Sequence, residues 1–347
     1  MGLNANSPDY SNYERMFYMA DTSEYAEIEI GYRLFCIIFR NIGLSYQQFR
    51  MVLAFIYIIL AYKIAIRMTN NVNFALSLFL ICPFLSQISG LRFSLAALIV
   101  CNSIPNLLEN GKKGLTKYTV GILIAALFHY STLFYLVFIY ARKKFSIKKL
   151  LVVLSIMVVL ALLIKNTSFI LSIVQSITSN SRFSQWLSMA DSSVVIHLNL
   201  TGIFANAFFI VGMFFLSKIV VSVLIKNDSI NQSSLSKIDQ QCRRSGGLLM
   251  KDRRAFDLII NMNLLALLII PGFIITSEYI RLFYGILMFN YCVFAEAAKG
   301  NIFSRKLKYA LISPTAVLWT ALILWFYTYQ FTSHDVFAAL TGNLLFN

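Results

Sequence analysis

Long apolar stretches with few charges recur along most of this 347-residue sequence, and they restrict the fold more than any other feature. They are continuous runs of about 18 residues or more, with no alternation of polar and apolar positions. In hydrocarbon a chain must satisfy its own backbone hydrogen bonds, so only helices and closed barrels cross a bilayer. Continuous runs favour helices. The sequence therefore predicts an all-α polytopic transmembrane bundle of about 8 to 10 spans, with residues 1–347 forming one integral membrane domain.

The composition and charge of the chain argue against several classes of function. The chain is 58% hydrophobic and 13% charged, and its formal net charge is +15. In a chain with these apolar runs, the positive charge is better explained by cytoplasmic loops than by nucleic-acid binding. The five cysteines are scattered without metal-ligand spacing, and no nucleotide-binding or hydrolase motif is found. We expect no metal, no cofactor and no nucleic-acid partner.

The apolar runs and the basic loops together predict a topology. Four basic loops, at 109–117, 142–149, 226–256 and 299–308, should lie in the cytoplasm by the positive-inside rule. The acidic segment 1–50 and the loop 166–199 should be extracytoplasmic. Within the first of these, residues 31–50 are typical of an amphipathic helix lying in the membrane interface. The spans are predicted at about 51–68, 72–89, 91–106, 149–165, 200–225, 256–275, 279–298 and 308–330.

The segment 118–141 has the length of one span, yet basic loops flank it on both sides. A simple crossing would put these loops on opposite faces of the membrane. One interpretation is a re-entrant hairpin of two short half-helices that enters from the cytoplasm and turns near His129. The other is an ordinary span with one basic loop outside. The eight spans alternate correctly only with the hairpin.

Ionisable side chains in or near the apolar runs are the first candidates for function, because they are costly to bury. His129 lies inside the run AALFHYSTLF and could be a general base or a hydrogen-bond donor; the structural alternative is a bond to a backbone carbonyl. Arg92 and Arg281 lie at outer span ends, where a guanidinium either binds an anion such as a diphosphate or anchors the helix at the interface. Glu278 is the expected partner of Arg281, and Arg182 is a weaker anion-binding candidate.

The acidic N-terminal segment supplies two carboxylate candidates, Asp9 and Glu29. A carboxylate is a common base for an acceptor hydroxyl. Tyrosines near both positions, including Tyr32, could stack against sugar rings. The alternative is that the two carboxylates belong to a solvated acidic loop.

Several short motifs, taken in order, resemble the EpsG family of bacterial polysaccharide polymerases, which are Wzy-like membrane proteins. They are SPDYSNYERMF, EIEIGYRLFCIIFRNIGLSYQQF, SGLRFSLAALIVCNSI, GKKGLTKY, IAALFHYSTLFYLVFIY and SEYIRLFYG. The family pattern of Arg, Ala, a basic turn and then Phe-His and Ser falls on Arg92, Ala96, Phe128, His129 and Ser131. One position departs from it, since the family usually has Gln after the arginine, where this chain has Phe93.

The resemblance implies a glycosyltransferase of the bacterial cytoplasmic membrane. Such an enzyme transfers a glycan from undecaprenyl diphosphate to the non-reducing end of another lipid-linked unit, building exopolysaccharide, capsule or O-antigen outside that membrane. Its partners would be the undecaprenyl-diphosphate-linked oligosaccharide, the bilayer, and a chain-length regulator or other assembly proteins. Arg92 and Arg281 would then hold the diphosphate, and His129 or Glu29 would be the base. The alternatives are a transporter or flippase of the same lipid-linked oligosaccharides and a membrane acyltransferase acting on the polysaccharide.

Overall fold

The computed structural model describes residues 10–22, 28–87, 90–143, 147–166, 193–231, 247–274 and 277–299. All regular elements within these ranges are helical. The expected all-α membrane bundle is therefore confirmed. Five helices are long and apolar enough to cross a membrane: Tyr46–Met68, Leu91–Leu108, Gly202–Ile225, Arg254–Ile274 and Ile280–Ala298.

These five helices correspond to five of the eight predicted spans. The span expected at 72–89 is interrupted: helix Val72–Ile81 is followed by Pro83 and a short helix Phe84–Gln87. Because proline has no amide hydrogen to donate, a helix is readily broken there. The helix Ile147–Asn166 covers the span expected at 149–165. The span expected at 308–330 lies outside the described residues.

The chain's first described helices pack at one end of the bundle, where Gly31 contacts Leu127 of the turn before His129. They are α1 (Tyr10–Tyr18) and α2 (Ile30–Asn41), followed by α3 (Tyr46–Met68). Along α2 the apolar side chains of Ile30, Leu34 and Ile38 are at least half exposed at a spacing of four residues. An apolar stripe on a short helix suits the interfacial position expected for it. The expected helix 31–50 is divided, because a turn with Gly43 at φ 89° separates α2 from α3.

The segment 118–141 forms a hairpin. Its arms are the α-helix Gly111–Ala126 and the 3-10 helix Tyr130–Arg142. The open ends meet where Arg142 Nη2 donates to the carbonyl oxygen of Glu109 at 3.0 Å, and the arms are joined where Tyr118 Oη donates to the carbonyl of Tyr135 at 2.5 Å. A single crossing would separate these ends by the thickness of the bilayer, so that interpretation is wrong.

The hairpin is deeper than predicted. At the usual rise per residue its α-helical arm is about 24 Å long and its 3-10 arm about 26 Å long, close to the thickness of a hydrocarbon core. The arms are therefore not half-helices. The turn at His129 lies at the far end of the bundle from residues 109 and 142, rather than at half depth.

The end opposite this turn gathers residues that border the four basic loops, and we call it the basic face. Here Arg254 Nη1 donates to Asn110 Oδ1 at 2.9 Å. The backbone amide of Gly247 donates to Asn70 Oδ1 at 2.8 Å, and the amide of Asn70 donates to Glu296 Oε1 at 2.7 Å. The described residues that border the four basic loops thus share one end of the molecule.

Candidate active site

The end opposite the basic face contains an ion pair between Arg92 and Glu29. Arg92 lies in the first turn of the helix Leu91–Ser103, and Glu29 immediately precedes α2. Their Nη1 and Oε2 atoms are 2.5 Å apart, and the side chains are only 12% and 9% exposed. The pairing neutralises both charges at a place with little water, where an unpaired charge would be costly to bury. The sequence identified both residues but not their pairing.

Two tyrosine rings flank the Arg92 guanidinium. Its Cζ atom lies 5.5 Å from the ring centre of Tyr13 and 5.6 Å from that of Tyr32, which is within range of a cation–π interaction. Tyr32 is fully buried, and burial raises the pKa of its phenol well above the ordinary value. Tyr32 therefore stays neutral and supports Arg92, which leaves Tyr13 as the more accessible ring.

The hairpin turn brings His129 to the same place. His129 is in extended conformation between the two arms, and its Nδ1 atom is 2.8 Å from Ser131 Oγ. The ring of Phe93 packs against the imidazole at right angles, with centres 5.3 Å apart. The hydroxyl of Ser131 is suited to fix one tautomer of the imidazole, so that Nε2 is the remaining nitrogen for a ligand.

The turn is tied to the segment that carries Glu29. The amide of Gly31 donates to the carbonyl of Leu127 at 2.8 Å, and Glu29 Oε1 accepts from the amide of Tyr130 at 3.4 Å. A Cβ atom on Gly31 would lie 2.7 Å from that carbonyl oxygen, so this close approach needs glycine. Glu29 thus contacts both Arg92 and the hairpin turn.

Arg281 completes the cationic part of the site. It lies in the first turn of the helix Ile280–Lys299 and pairs with Glu278 at 2.6 Å, as predicted. Its side chain is 37% exposed, three times the value for Arg92. A Cβ atom on Gly90 would be 3.5 Å from Arg281 Nη1, which places this guanidinium beside the loop that precedes Arg92.

These groups surround one cavity of about 300 Å³. Four of the predicted site residues line it: Arg92, His129, Glu278 and Arg281. The other lining residues were not singled out from the sequence as site residues: Asn12, Tyr13, Phe93, Ser131, Tyr279 and Leu282. Two guanidiniums and an imidazole around one cavity can bind an anion and exchange a proton beside it.

Two predicted site residues, Asp9 and Arg182, lie outside the described residues. Among the residues that were missed, Tyr13 follows Asp9 in the acidic opening and Ser131 follows His129 by two positions. Tyr13 and Ser131 both lie in motifs that were identified from the sequence, but the sequence does not indicate which tyrosine or hydroxyl faces the cavity.

Comparison with known proteins identifies the family. The family model described as EpsG family matches residues 1–338. This chain belongs to the EpsG family. Its membership indicates a polymerase-like role in polysaccharide biosynthesis at a membrane. No curated protein and no solved structure matches the chain.

The EpsG motif can now be placed in three dimensions. Arg92, His129 and Ser131 line the cavity, whereas Ala96 is buried in the bundle and Phe128 packs edge-on against Phe35 of α2 at 5.0 Å. The position where EpsG proteins usually have Gln is Phe93, in contact with the His129 ring. The departure from the family pattern thus lies within the site.

Proposed function

We propose that this protein polymerises lipid-linked oligosaccharide units, transferring a glycan from undecaprenyl diphosphate to the non-reducing sugar of a second lipid-linked unit. The observation that supports this most directly is the cavity at the end opposite the basic face, where Arg92, Arg281 and His129 converge. If the basic loops are cytoplasmic, this cavity opens on the extracytoplasmic side of the bacterial cytoplasmic membrane.

Binding of the donor would depend on the two arginines. The leaving group is a diphosphate, and negative charge develops on its bridging oxygen as the bond to the sugar breaks. Preorganised donors aimed at such a charge are usually the largest contribution to catalysis. Arg281 is the more exposed guanidinium and makes the first contact, while Arg92 is held rigidly by Glu29 and the tyrosine rings.

His129 is the proposed base. An acceptor hydroxyl oxygen forms the new bond to the anomeric carbon, the bond from that carbon to the diphosphate oxygen breaks, and the hydroxyl proton passes to His129 Nε2. In the tautomer that this role requires, Nδ1–H donates a hydrogen bond to the nearby Ser131 hydroxyl, which leaves Nε2 with a free electron pair. Glu29 is the second candidate base, but its Oε2 atom is paired with Arg92, its Oε1 atom accepts from the Tyr130 amide, and its side chain does not line the cavity. We therefore assign Glu29 to positioning Arg92.

The test is a reconstituted assay. Purified protein in vesicles receives lipid-linked repeat units and an acyl donor, and the products are separated by size and mass. A ladder of longer glycans is the expected result. Translocation of the units without elongation would indicate a flippase, and an acylated glycan of unchanged length would indicate an acyltransferase.

A matched control separates catalysis from folding. Tyr140 lies on the hairpin at the end near the basic face and is 61% exposed. Tyr140→Phe should elongate the glycan like the unmodified protein, whereas Arg281→Ala should yield no ladder at equal protein amount. Normal elongation by Arg281→Ala would remove Arg281 from the proposed site.

A further inference from the structure

A second cavity, of about 440 Å³, adjoins the site on the side of the hairpin. We call it the apolar groove. It lies between the 3-10 helix Tyr130–Arg142, the helix Ile147–Asn166 and the 3-10 helix Leu267–Ile274. Its walls are mainly apolar: Phe134, Met157, Leu160, Ala161, Leu268 and Ile269.

The groove and the site cavity share part of their walls. Ser131, Tyr279 and Leu282 line both. Ser131 is also the hydrogen-bond partner of His129, so the groove begins one side chain away from the proposed base. No charged side chain occurs among the described residues lining the groove, whereas two arginines line the adjoining cavity.

This arrangement matches an amphiphile with an anionic head and a hydrocarbon tail. Apolar surface binds the tail by excluding polar groups, and guanidiniums bind the phosphates. A phospholipid and a polyprenyl diphosphate share this chemistry. The position of the groove beside His129 favours the second, because a diphosphate bonded to the reacting carbon must lie beside the base.

The geometry also distinguishes the two substrates of the proposed reaction. The donor reacts at the carbon that bears its diphosphate, so its lipid begins next to the reacting atoms. The acceptor reacts at its non-reducing end, and its own diphosphate is a full repeat unit away. Only the donor's lipid can enter a groove that starts at Ser131.

We propose that the apolar groove binds the first isoprene units of the donor's polyprenyl chain while Arg92 and Arg281 hold its diphosphate. This inference rests on the proposed function, and it names the part of the donor that the site recognises. The remaining isoprene units extend into the bilayer.

The test compares two adjacent positions of the helix Ile147–Asn166. Leu160 lines the groove and is 52% exposed; Val159 does not line it and is 55% exposed. Leu160→Trp should raise the KM for a long-chain polyprenyl donor at least about tenfold with little change in kcat, because the indole occupies the space of the tail. Val159→Trp, the control, should leave KM unchanged. A donor with the same glycan on a methyl diphosphate, which carries no isoprene unit, should be used equally by both variants.

A binding experiment decides the question without turnover. A photo-crosslinking benzophenone amino acid replaces Leu160 or Val159 in protein reconstituted with phospholipid and sugar-free undecaprenyl diphosphate. The expected result is an undecaprenyl diphosphate adduct at Leu160 and not at Val159. Phospholipid adducts alone at both positions would overturn the inference.

The two proposals can fail separately. Elongation by the unmodified protein, with equal KM values in Leu160→Trp and Val159→Trp, would reject the groove and keep the polymerase. Absence of elongation with any donor would reject the polymerase, and the crosslinking result would still decide what the groove binds.

Discussion

At the scale of single residues, the pairing of Arg92 with Glu29 restricts what each can do. A guanidinium that is 12% exposed and bonded to a carboxylate is fixed in place before any substrate arrives. A rigid cation stabilises developing charge without the cost of reorganisation. The same contact makes each partner dependent on the other, because a charge left alone in this site is poorly solvated.

This dependence gives a prediction about stability. Glu29→Gln should lower the melting temperature of the protein in detergent, because it leaves a nearly buried guanidinium without its counter-charge at a cost of about 3 to 5 kcal/mol. The double variant Glu29→Gln/Arg92→Gln should recover most of that loss and still produce no polymer. Melting curves and the elongation assay measure the two effects. Equal melting temperatures for Glu29→Gln and the unmodified protein would contradict the pairing.

A second prediction concerns Arg92 as a ligand of the diphosphate. Arg92→Lys keeps the charge but loses the planar fork of donors. We expect the polymer yield to collapse while the amount of membrane-inserted protein is maintained. Full activity in both Arg92→Lys and Arg92→Ala would reduce this residue to a structural anchor.

A third prediction concerns His129. Gln preserves hydrogen bonding without basicity, and Leu removes both. If His129 is the base, both variants should lose at least about 100-fold in turnover while still folding. Ser131→Ala should have a smaller effect, because it removes only the partner of Nδ1. If Gln retains substantial activity and only Leu lowers the amount of folded protein, His129 is a structural donor, and the same comparison should be made at Glu29.

The candidate site could be predicted in part, and the reason is physical. Charged side chains in apolar sequence are conspicuous, so Arg92, His129 and Arg281 were identifiable without a structure. Tyr13 was not, because it is one of 18 tyrosines in the chain and a phenol is less costly to bury than a charge. The pairing of Glu29 with Arg92 joins residues 63 positions apart, and no local pattern specifies such a contact.

At the scale of elements, the hairpin is the feature that assembles the site, and its packing depends on small residues. Gly121 of the first arm faces Ser103 of the helix Leu91–Ser103 so closely that a Cβ atom would collide with Ser103 Oγ. Close approach of this kind is the usual means by which membrane helices pack. The contact holds the first arm, which leads to His129, against the helix that carries Arg92.

The corresponding prediction uses compensation. Gly121→Ala should reduce the amount of folded protein and its activity, because the two helices must separate. Adding Ser103→Gly to the same chain should restore much of both. Val120→Ala, at the adjacent residue, which is 47% exposed, is the control and should have little effect. Size-exclusion profiles and polymer yield provide the measurements; no rescue by Ser103→Gly would argue against this contact.

Prediction from sequence was successful for the long helices and less so for their breaks. Hydropathy located the span at 91–106 because that signal depends only on local composition. It did not locate the interruption after Ile81 or the turn at Gly43, which depend on single residues. The hairpin was indicated by the basic loops on both sides of it and not by hydropathy, since its two arms form one uninterrupted apolar run in the sequence.

At the scale of the whole molecule, the basic face and the cavity of the candidate site lie at opposite ends, and the proposed chemistry requires the cavity to open on the extracytoplasmic side of the membrane. This yields the last prediction. Single cysteines are introduced into a cysteine-free background at Thr116, Lys143 and Thr22. Thr116 and Lys143 border the two ends of the hairpin near the basic face, and Thr22 follows α1 at the site end.

An impermeant thiol reagent applied to intact cells should label only the cysteine at position 22. After permeabilisation all three should react, which controls for burial. Labelling at position 143 but not at 116 would mean that the arms open on opposite sides, against the contact between Arg142 and Glu109. Labelling at 116 and 143 with protection at 22 would mean that the protein has the opposite orientation in the membrane. The cavity would then face the cytoplasm, and polymerisation outside the membrane would be excluded, because a site enclosed on one face cannot reach substrates on the other.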